Sequence, residues 1–414
     1  MKNAPRTGAR QIAAECLSRW STSHAFAETL VARHTSDAGL GPSDRALVQA
    51  IVYGTLRNKT WLEHIIRTLR PSPLDTPLQI LTLVGLSQIF ILGQADHIAV
   101  SETVKLVPQR VRGVVNGILR NAARRKQELI RERDTLPLPV RYSIPEWLVR
   151  RWQATYGEPE TAAMLDWNNR PPVLHARSNA LRPLDTVPDT LVPLEGIPGW
   201  YTLTGAIPRA AVENGSLYIA DPSTRYCIGL LAPQPGERIL DACAAPGGKS
   251  AAILSATGGK AILTATDMHE HRLPKLLENL RKQGADHIDI RAHDWTQPCP
   301  PEWQQAYDAV ILDVPCSNTG VIRKRIDVPW RLTPEEITRL SDLQHTILTC
   351  AAEAVKPGGR IVYSTCSIDP EENRAVIDRY LAEHPDCTLV QDHLALPHRE
   401  QADGAYAALL HKRT

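Results

Sequence analysis

Between about residue 230 and residue 410 the chain alternates between short apolar runs and amphipathic segments, and this alternation limits its fold more than any other feature. The apolar runs predict strands at 238–242, 261–266, 288–292, 309–312 and 360–363. The segments between them predict helices at 249–256, 270–283, 334–355 and 371–382. Two weaker strands are predicted at 388–390 and 405–410. Strands that alternate with helices in this way form a doubly wound α/β sheet.

A glycine-rich turn, D-A-C-A-A-P-G-G-K at 241–249, follows the first predicted strand. It has neither the spacing of a dinucleotide-binding G-x-G-x-x-G nor the lysine arrangement of a P-loop. Small residues and adjacent glycines still let the backbone pass close to a ligand, and the next helix points its first amide groups at that ligand. The turn therefore predicts a ligand site, with a purely structural tight turn as the alternative.

Carboxylates stand at or just beyond the ends of the next three predicted strands. Asp267 ends the second strand, where α/β nucleotide sites place an acid for ribose hydroxyls. Asp294 follows the third strand and Asp313 ends the fourth. Each alone is compatible with a helix cap or a surface acid. Because the carboxyl ends of parallel strands meet at one edge of a sheet, the set predicts a shared crevice.

Two cysteines lie just past strand ends at the same predicted edge, Cys316 in D-V-P-C and Cys366 in S-T-C-S. A nucleotide-type pocket beside two thiols suits covalent attack on an electrophilic ring carbon. The other cysteines are interpreted as packing residues (Cys16, Cys227, Cys350, Cys387), as a small residue of the turn (Cys243), or as having no evident role (Cys299). No C-x-x-C pair and no clustered histidines occur, so neither disulfides nor a metal site are predicted.

The first 135 residues show helical periodicity with few strand signals, which predicts an all-α domain at 1–135. Its segment 78–92 is apolar on nearly every side and predicts a buried helix, and Ser101 is a candidate N-cap. Residues 1–140 carry 19 Lys and Arg against 11 Asp and Glu, although the whole chain has a net charge of only +2. Such asymmetry favours contact with a polyanion, and the candidate phosphate contacts are Arg124, Arg125 and Lys126.

The rest of the chain divides into a middle segment at 145–228 and the α/β domain at 229–414. The middle segment is predicted to start as a helix, with Trp147, Val149, Trp152 and Tyr156, and to continue through a proline-rich stretch at 171–208 as short strands and loops. The start of the chain is polar and basic with no apolar signal region, and no apolar stretch is long enough to span a bilayer. The expected location is the cytoplasm, and the expected state is a monomer that contacts no membrane.

Three motifs carry a resemblance to a known family: D-A-C-A-A-P-G-G-K-S, D-V-P-C-S-N-T-G and Y-S-T-C-S-I-D-P-E-E-N. They resemble the signatures of the bacterial RNA (cytosine-5) methyltransferases, which use S-adenosylmethionine. H-I-A-V-S-E-T-V and R-G-V-V-N-G-I-L-R resemble the NusB-like domain of one branch, the cytosine-967 methyltransferases of small-subunit rRNA (RsmB, Fmu or Sun type). N-N-R-P-P-V-L-H-A-R-S-N in the middle segment also fits that branch, so the likeness covers nearly the whole chain.

The resemblance implies a Rossmann-like S-adenosylmethionine-dependent methyltransferase domain, preceded by an all-α NusB-like domain and a small α+β RNA-recognition subdomain. It implies that Cys366 adds to cytosine C6, that Cys316 assists release, and that 16S rRNA is the substrate. It also implies that Asp313 contacts the target base as well as the cofactor. The implied cofactor-binding residues are Cys243, Ala244, Ala245, Pro246, Gly247, Gly248, Lys249, Asp267, Asp294 and Asp313.

Two segments depart from the family pattern. Ile326 stands where relatives usually carry proline after a basic pair, and Y-I-A-D-P-S at 218–223 differs from the usual V-Q-D-x-A-S. Two other functions stay open at this point. A DNA cytosine methyltransferase has similar chemistry but attacks with the Pro-Cys thiol, and nothing in it corresponds to Cys366. A non-catalytic RNA-binding or antitermination protein could use the NusB-like domain alone, but the intact motifs argue against it.

Overall fold

The computed structural model describes residues 8–285 and 288–414. The chain forms two compact units. The first comprises Met1–Arg170 together with Arg325–Arg331, and the second comprises Pro171–Lys324 together with Leu332–Thr414. The division after Arg170 falls inside the segment 145–228 that the sequence predicts as one subdomain, so the bounds of that subdomain stay a prediction.

The first unit is built from helices packed around two apolar clusters. Its helices are α1 Ala9–Thr22, α2 Ala27–Asp37, α3 Pro42–Arg57, α4 Lys59–Leu69, α5 Thr76–Phe90, α6 Asp96–Lys105, α7 Arg112–Arg124, α8 Lys126–Arg133, α9 Leu138–Arg141, α10 Glu146–Tyr156 and α11 Glu158–Asn169. The predicted buried helix is α5, whose N-cap Asp75 accepts a hydrogen bond from the Leu78 amide at 2.9 Å. The prediction for Ser101 is wrong, because α6 begins at Asp96 and leaves Ser101 in mid-helix.

A short segment from the sequence of the α/β domain packs into the first unit. Ile326 is buried in its apolar core, at the position where the family pattern has proline. The Asp327 carboxylate accepts a hydrogen bond from the Ala27 amide at 2.6 Å, at the start of α2. Arg331 donates to the Trp20 carbonyl oxygen at 2.7 Å. Arg331 also donates to the Ala25 carbonyl oxygen at 3.2 Å, and Trp330 packs against the same apolar core, so both apolar and polar contacts hold the segment 325–331.

The second unit begins with a four-stranded antiparallel sheet, named here the small sheet. Its elements are β1 His175–Ser178, β2 Leu191–Pro193, β3 Trp200–Leu203, α12 Arg209–Glu213 and β4 Leu217–Ile219, with the strand order β2-β3-β1-β4. Ala176 of β1 pairs with Tyr201 on one side and with Ile219 on the other. The strands are short because prolines and glycines punctuate the segment.

A seven-stranded sheet forms the larger part of the second unit. Its elements are α13 Arg225–Leu231, β5 Arg238–Asp241, α14 Gly248–Ala256, β6 Ile262–Asp267, α15 Leu273–Lys282, β7 Asp289–Ala292, β8 Tyr307–Asp313, α16 Val328–Arg331 (part of the first unit), α17 Pro334–Ala352, β9 Val355–Thr365, α18 Arg374–Glu383, β10 Cys387–Ala395, α19 Pro397–Glu400 and β11 Ala405–Lys412. The strand order is β10-β11-β9-β8-β5-β6-β7, and the five strands from β9 to β7 are parallel. β11 is antiparallel to both its neighbours. The predicted doubly wound sheet is confirmed.

Several element boundaries differ from the sequence prediction. The helix predicted at 371–382 is α18 Arg374–Glu383, and the strand predicted at 388–390 is the longer β10 Cys387–Ala395. The helix predicted at 270–283 is a 3₁₀ turn, Glu270–Arg272, followed by α15. Pro274 has no amide hydrogen and is tolerated only in the first turn of a helix, so the α-helix begins beside it. β9 begins at Val355, earlier than the predicted 360, because residues 355–359 continue the strand through two glycines.

The chain order of the strands reverses between β5 and β8, which are neighbours in the sheet. From β5 the chain moves outward through β6 to β7, then returns to place β8 on the other side of β5. Helices leave a crevice at such a reversal, outside the carboxyl ends of the strands, and ligands bind there in open α/β sheets. The two strand ends at this reversal are Asp241 and Asp313.

Candidate active site

The Asp241 carboxyl group lies at the end of β5 and is fully buried. Its Oδ2 accepts a hydrogen bond from the Ser250 hydroxyl at 2.6 Å, whereas its Oδ1 has no hydrogen-bond partner in the part of the chain that the structure describes. Burial raises the pKa of Asp241 to about 6. A buried acceptor without a partner is costly unless a ligand supplies a donor.

The turn after β5 requires glycine at position 247 and is closely packed at position 248. Gly247 has φ +106° and precedes α14, and a Cβ there would lie 2.9 Å from Leu276 Cδ1. A Cβ on Gly248 would lie 3.1 Å from the hydroxyl oxygen of Tyr218. The backbone of the turn therefore lies close to its neighbours, as the predicted ligand-binding turn needs.

Asp267, at the end of β6, is tied to this turn. Its side chain is 5% exposed and accepts from the Arg272 guanidinium at 3.0 Å and from the His269 amide at 3.0 Å. Arg272 also donates to the carbonyl oxygen of Ala245 at 2.7 Å. Asp294 differs, because its carboxylate accepts from the Thr296 amide and hydroxyl at 2.9 and 2.8 Å and closes its own turn.

An ion pair joins the turn to the end of β8. Lys249 Nζ lies 2.6 Å from Asp313 Oδ2, and Asp313 Oδ1 accepts a hydrogen bond from the Ser364 hydroxyl at 3.2 Å. Burial opposes the charge on Lys249, but Asp313, together with Cys227 and Asp241, outweighs burial and raises the pKa of Lys249 above its ordinary value. Lys249 is therefore an ammonium group at neutral pH, and the strand ends of β5, β8 and β9 are linked.

The two thiols predicted to share this edge are in contact. Cys316 Sγ lies 3.2 Å from Cys366 Sγ, and Cys366 Sγ lies 3.2 Å from Asn318 Oδ1. The hydrogen bond with Cys366, together with burial, raises the pKa of Cys316 well above its ordinary value. Cys316 therefore keeps its proton at neutral pH.

A buried carboxyl group holds the two cysteine loops together. Glu372 is fully buried and accepts hydrogen bonds from both loops, from the Ser317 amide at 2.8 Å and from the hydroxyls of Ser317 and Ser367. The Gln344 side-chain amide of α17 adds a further hydrogen bond at 2.9 Å. Burial raises the pKa of Glu372.

A backbone contact joins the same two loops. The Gly320 amide donates to the Cys366 carbonyl oxygen at 2.9 Å, and the Gly404 amide donates to the Gly320 carbonyl oxygen at 2.8 Å. A Cβ on Gly320 would lie 2.3 Å from the Gly404 carbonyl oxygen, so no larger residue fits. This glycine fixes the separation of the loops that carry Cys316 and Cys366.

Sequence reasoning did not single out Glu372, Gly320, Asn318 or Ser367, although all four lie inside the quoted cysteine motifs. The sequence does place an acid and several small polar residues near the two cysteines. It identified no partners, because a hydrogen-bond network between two loops depends on how the loops are folded.

In the first unit, the three basic residues predicted to contact RNA are in different environments. Arg124 lines a cavity of about 770 Å³ between α6 and α7, whose other basic lining residues are Lys105, Arg112 and Arg120. Arg125 forms a two-point ion pair with Glu128, with a shortest separation of 2.7 Å. Lys126 lies 3.5 Å from Asp96. Arg124 is therefore the one of the three that faces a concave basic surface.

Neither a metal-binding group of side chains nor a membrane-spanning helix occurs in the described residues. No set of three or more His, Cys, Asp or Glu side chains within 8–285 and 288–414 is arranged to hold a metal ion. Over the same ranges, no helix is long and apolar enough to cross a bilayer.

Comparison with known structures and families agrees with this architecture. Residues 228–411 match the family described as 16S rRNA methyltransferase RsmB/F, and residues 7–124 match the NusB family. The crystal structure of PH0851 superposes with a TM-score of 0.76 at 23% identity, covering 99% of both chains. A methyltransferase homologue from Pyrococcus horikoshii superposes with a TM-score of 0.58 at 24% identity, covering 66% of this chain and 97% of that one.

The sheet with its turn at the reversal has the fold of S-adenosylmethionine-dependent methyltransferases. Two relatives are more similar in sequence than these solved structures, and they indicate which methyltransferases within this class the chain resembles. Ribosomal RNA small subunit methyltransferase B of Yersinia enterocolitica is 34% identical over 413 residues, covering 90% of this chain and 92% of that protein. The protein of the same name from Shigella sonnei is 34% identical over 394 residues, covering 89% and 91%. The chain belongs to the RsmB/F family of S-adenosylmethionine-dependent rRNA methyltransferases and carries the NusB domain of that family.

Proposed function

We propose that this protein transfers a methyl group from S-adenosylmethionine to C5 of a cytosine in 16S rRNA, through a covalent bond between Cys366 and C6 of the base. One observation carries the proposal. The Sγ atoms of Cys316 and Cys366 lie 3.2 Å apart at the strand edge that also bears the glycine-rich turn and the Lys249–Asp313 pair. Methyl transfer to an amine or a hydroxyl needs no thiol, whereas methylation of a pyrimidine carbon does.

The need for a thiol follows from the electronic structure of cytosine. C5 is a weak nucleophile in the aromatic ring, and addition of a thiolate at C6 places electron density on it. The Cys366 thiolate forms a carbon–sulfur bond at C6, and the displaced electron pair makes C5 the nucleophile. After methylation, a base removes the C5 proton, and the electron pair of that C–H bond forms the C5–C6 double bond. The carbon–sulfur bond at C6 breaks at the same time and regenerates the thiolate.

The raised pKa of Cys316 supports a role for that residue other than nucleophilic attack. The thiolate is the reactive form of cysteine, and the raised pKa of Cys316 keeps that residue as a thiol. Cys316 lies close enough to Cys366 to act on the adduct during release. The resemblance to RNA (cytosine-5) methyltransferases gives the same two roles.

The residues at the strand ends fit the cofactor. S-adenosylmethionine supplies an electrophilic methyl group on a sulfonium. Asp241 Oδ1 is a buried acceptor with no partner among the described residues, and it lies at the first residue of the turn. We assign the cofactor to the turn residues Cys243 to Lys249 and to Asp267, Asp294 and Asp313, and we assign contact with the target base to Asp313 as well. The Lys249 ammonium holds the Asp313 carboxylate in place for that contact.

The proposed RNA partner is 16S rRNA, and the protein is proposed to act as a monomer. The relatives of similar length are named as methyltransferases of the small-subunit rRNA. The basic cavity between α6 and α7 supports a role for the first unit in holding phosphates. The excess of positive charge in residues 1–140 supports the same role.

The experiment is nucleoside analysis of the product. The protein is incubated with small-subunit rRNA and S-adenosylmethionine, and the digested RNA is analysed by mass spectrometry against authentic 5-methylcytidine. DNA of matching sequence is the control substrate. We expect 5-methylcytidine in the RNA and none in the DNA. Methylation at a ring nitrogen or exocyclic amine, or methylation of DNA in preference to RNA, would overturn the proposal.

A further inference from the structure

The basic pair Arg323-Lys324 follows the Cys316 loop and contacts both ends of the segment that forms the small sheet. Arg323 donates two hydrogen bonds to the Pro171 carbonyl oxygen, at 2.6 and 3.1 Å, just before β1. Lys324 Nζ lies 2.5 Å from Asp221 Oδ2, just after β4. The entry to the small sheet and the exit from it are therefore held by two successive side chains.

Lys324 also connects this junction to the cysteine loops. Its Nζ lies 2.8 Å from Asp403 Oδ2, and the Asp403 amide donates to Asp221 Oδ1 at 2.9 Å. Asp403 precedes Gly404, whose amide bonds to Gly320, and Gly320 in turn bonds to the backbone of Cys366. Two backbone hydrogen bonds thus separate this charged cluster from the proposed nucleophile.

The cluster is buried and rich in charge. The side chains of Asp221 and Asp403 are 8% and 9% exposed, so two carboxyl groups share one ammonium group away from water. Burial and the neighbouring Asp221 raise the pKa of Asp403 to about 7. Burial also acts to raise the pKa of Asp221, but Lys324 and the backbone amides of Ser223 and Asp403 together lower it. His175 of β1 lies 4.0 Å from Asp221, and burial lowers its pKa, so it faces the cluster uncharged at neutral pH.

The small sheet has a concave surface suited to nucleotides. A cavity of about 570 Å³ lies where the small sheet meets α13 and α14, and Arg177, Tyr201 and Arg225 are among its lining residues. Arg177 Nη2 is buried there and has no hydrogen-bond partner within the described residues. Aromatic rings and guanidinium groups are the side chains on which unpaired bases stack and to which phosphates bind.

We propose that Lys324 is a positioning residue for the RNA substrate. By holding Asp221 and Asp403 together, it fixes the small sheet to the Cys316 and Cys366 loops, so that nucleotides bound on the small sheet bring the target base to the thiols. This inference rests on the proposed function, because it assigns the small sheet to the same RNA. It predicts that loss of the Lys324 charge leaves RNA and cofactor binding intact but holds the target base away from the two thiols.

The test replaces Lys324 with methionine, which keeps the length of the side chain and removes its charge. The matched control is Lys356→Met, because Lys356 forms a 2.6 Å ion pair with Asp308 at the opposite edge of the sheet. In Lys324→Met we expect kcat/KM to fall about 10²-fold, the effect of a misplacement of ~1 Å, while affinity for cofactor stays within about twofold of wild type. Lys324→Arg should recover most of the activity, and Lys356→Met should match wild type.

A second readout does not depend on methylation. Bound rRNA should protect Cys366 from alkylation by iodoacetamide in the wild type and in Lys356→Met, but not in Lys324→Met, even at saturating RNA. Protection without any 5-methylcytidine product in the wild type would refute the proposed function and leave the positioning role standing. Full protection and activity in Lys324→Met, or a parallel loss of cofactor affinity, would overturn the positioning role.

Asp403→Asn keeps the test decisive if Lys324→Met does not fold. The amide preserves the shape of the cluster and cannot titrate. We expect alkylation protection by rRNA to change with an inflection near pH 7 in the wild type, following the Asp403 carboxyl group, and to lose that inflection in Asp403→Asn. An identical pH profile in the two proteins would overturn the role of this cluster.

Discussion

Replacing Glu372 with alanine should destabilise the second unit strongly, because this carboxyl group accepts hydrogen bonds from two loops and a helix. After its removal the hydroxyls of Ser317 and Ser367, 3.2 Å apart, can turn toward each other. The Ser317 amide loses its acceptor and stays buried, and the Gln344 side-chain amide loses one of its two acceptors but keeps its hydrogen bond to the Pro315 carbonyl oxygen. Two N–H groups are left without a partner at a cost of about 1–3 kcal/mol each, so we expect a loss of about 2–6 kcal/mol in the free energy of unfolding.

Glu372→Gln is the matched variant, because it keeps the volume and one acceptor oxygen. We expect a loss of about 1–2 kcal/mol, since the hydroxyls can accept from the new amide. Urea denaturation followed by tryptophan fluorescence gives both free energies. An Ala variant within about 1 kcal/mol of the wild type, in the range of ordinary surface substitutions, would refute the bridging role of Glu372.

The raised pKa of Glu372 also predicts that the free energy of unfolding depends on pH. Because the pKa of Glu372 is raised in the folded chain, the folded state holds its proton at pH values where the unfolded state has lost it. The resulting stability is fully present below the ordinary Glu pKa of 4.5 and is lost as pH rises through the raised pKa. Glu372→Gln cannot titrate, so its free energy of unfolding should fall less than that of the wild type across this window.

Two further predictions concern the ligands. Asp267→Ala should weaken cofactor binding by about 1.5–3 kcal/mol, the range for hydrogen bonds to a charged group, as measured by calorimetry on the folded variant. The substitution also leaves Arg272 without its ion-pair partner, so Arg272→Ala is the control. Equal losses of cofactor affinity in the two variants would mean that the Asp267–Arg272 ion pair matters, and not a direct contact between Asp267 and the cofactor. Replacing Arg124, Arg125 and Lys126 together with alanine should weaken rRNA binding. It should also reduce the slope of log affinity against log salt by up to about 2, because each phosphate contact contributes about 0.7 to that slope. Arg125→Ala alone should change the slope least, because Arg125 is paired with Glu128, and an unchanged slope in the triple variant would contradict the RNA role.

The alternation of strand and helix signals predicted the seven-stranded sheet, because period and turn chemistry are local properties of the chain. The sequence could not predict that β11 inserts between β9 and β10, since strand order depends on pairing between distant segments. It also placed Ser101 at a helix start, because a polar residue before an apolar run is typical of an N-cap even when the helix begins earlier.

For the candidate site, strand ends predicted which residues share an edge, and the structure brings the turn, Asp267, Asp313 and the two thiols to that edge. Asp294 was predicted from the same rule, but its carboxylate is engaged in a local turn with Thr296, which spacing alone does not reveal. Glu372 and Lys324 were missed because their partners come from distant parts of the chain. Burial and pairing, not residue type, distinguish them from surface acids and bases.

Trapping of the covalent intermediate tests the central claim most directly. Cys316→Ala and Cys366→Ala are each incubated with rRNA and S-adenosylmethionine, denatured, and separated on a denaturing gel, with the double variant as control. We predict that Cys316→Ala forms the carbon–sulfur bond but stalls before release, giving a slow band of protein bonded to RNA. Cys366→Ala should give no band and no product, since the bond at C6 cannot form. A trapped band in Cys366→Ala and none in Cys316→Ala would reverse the roles of the two thiols and contradict this mechanism.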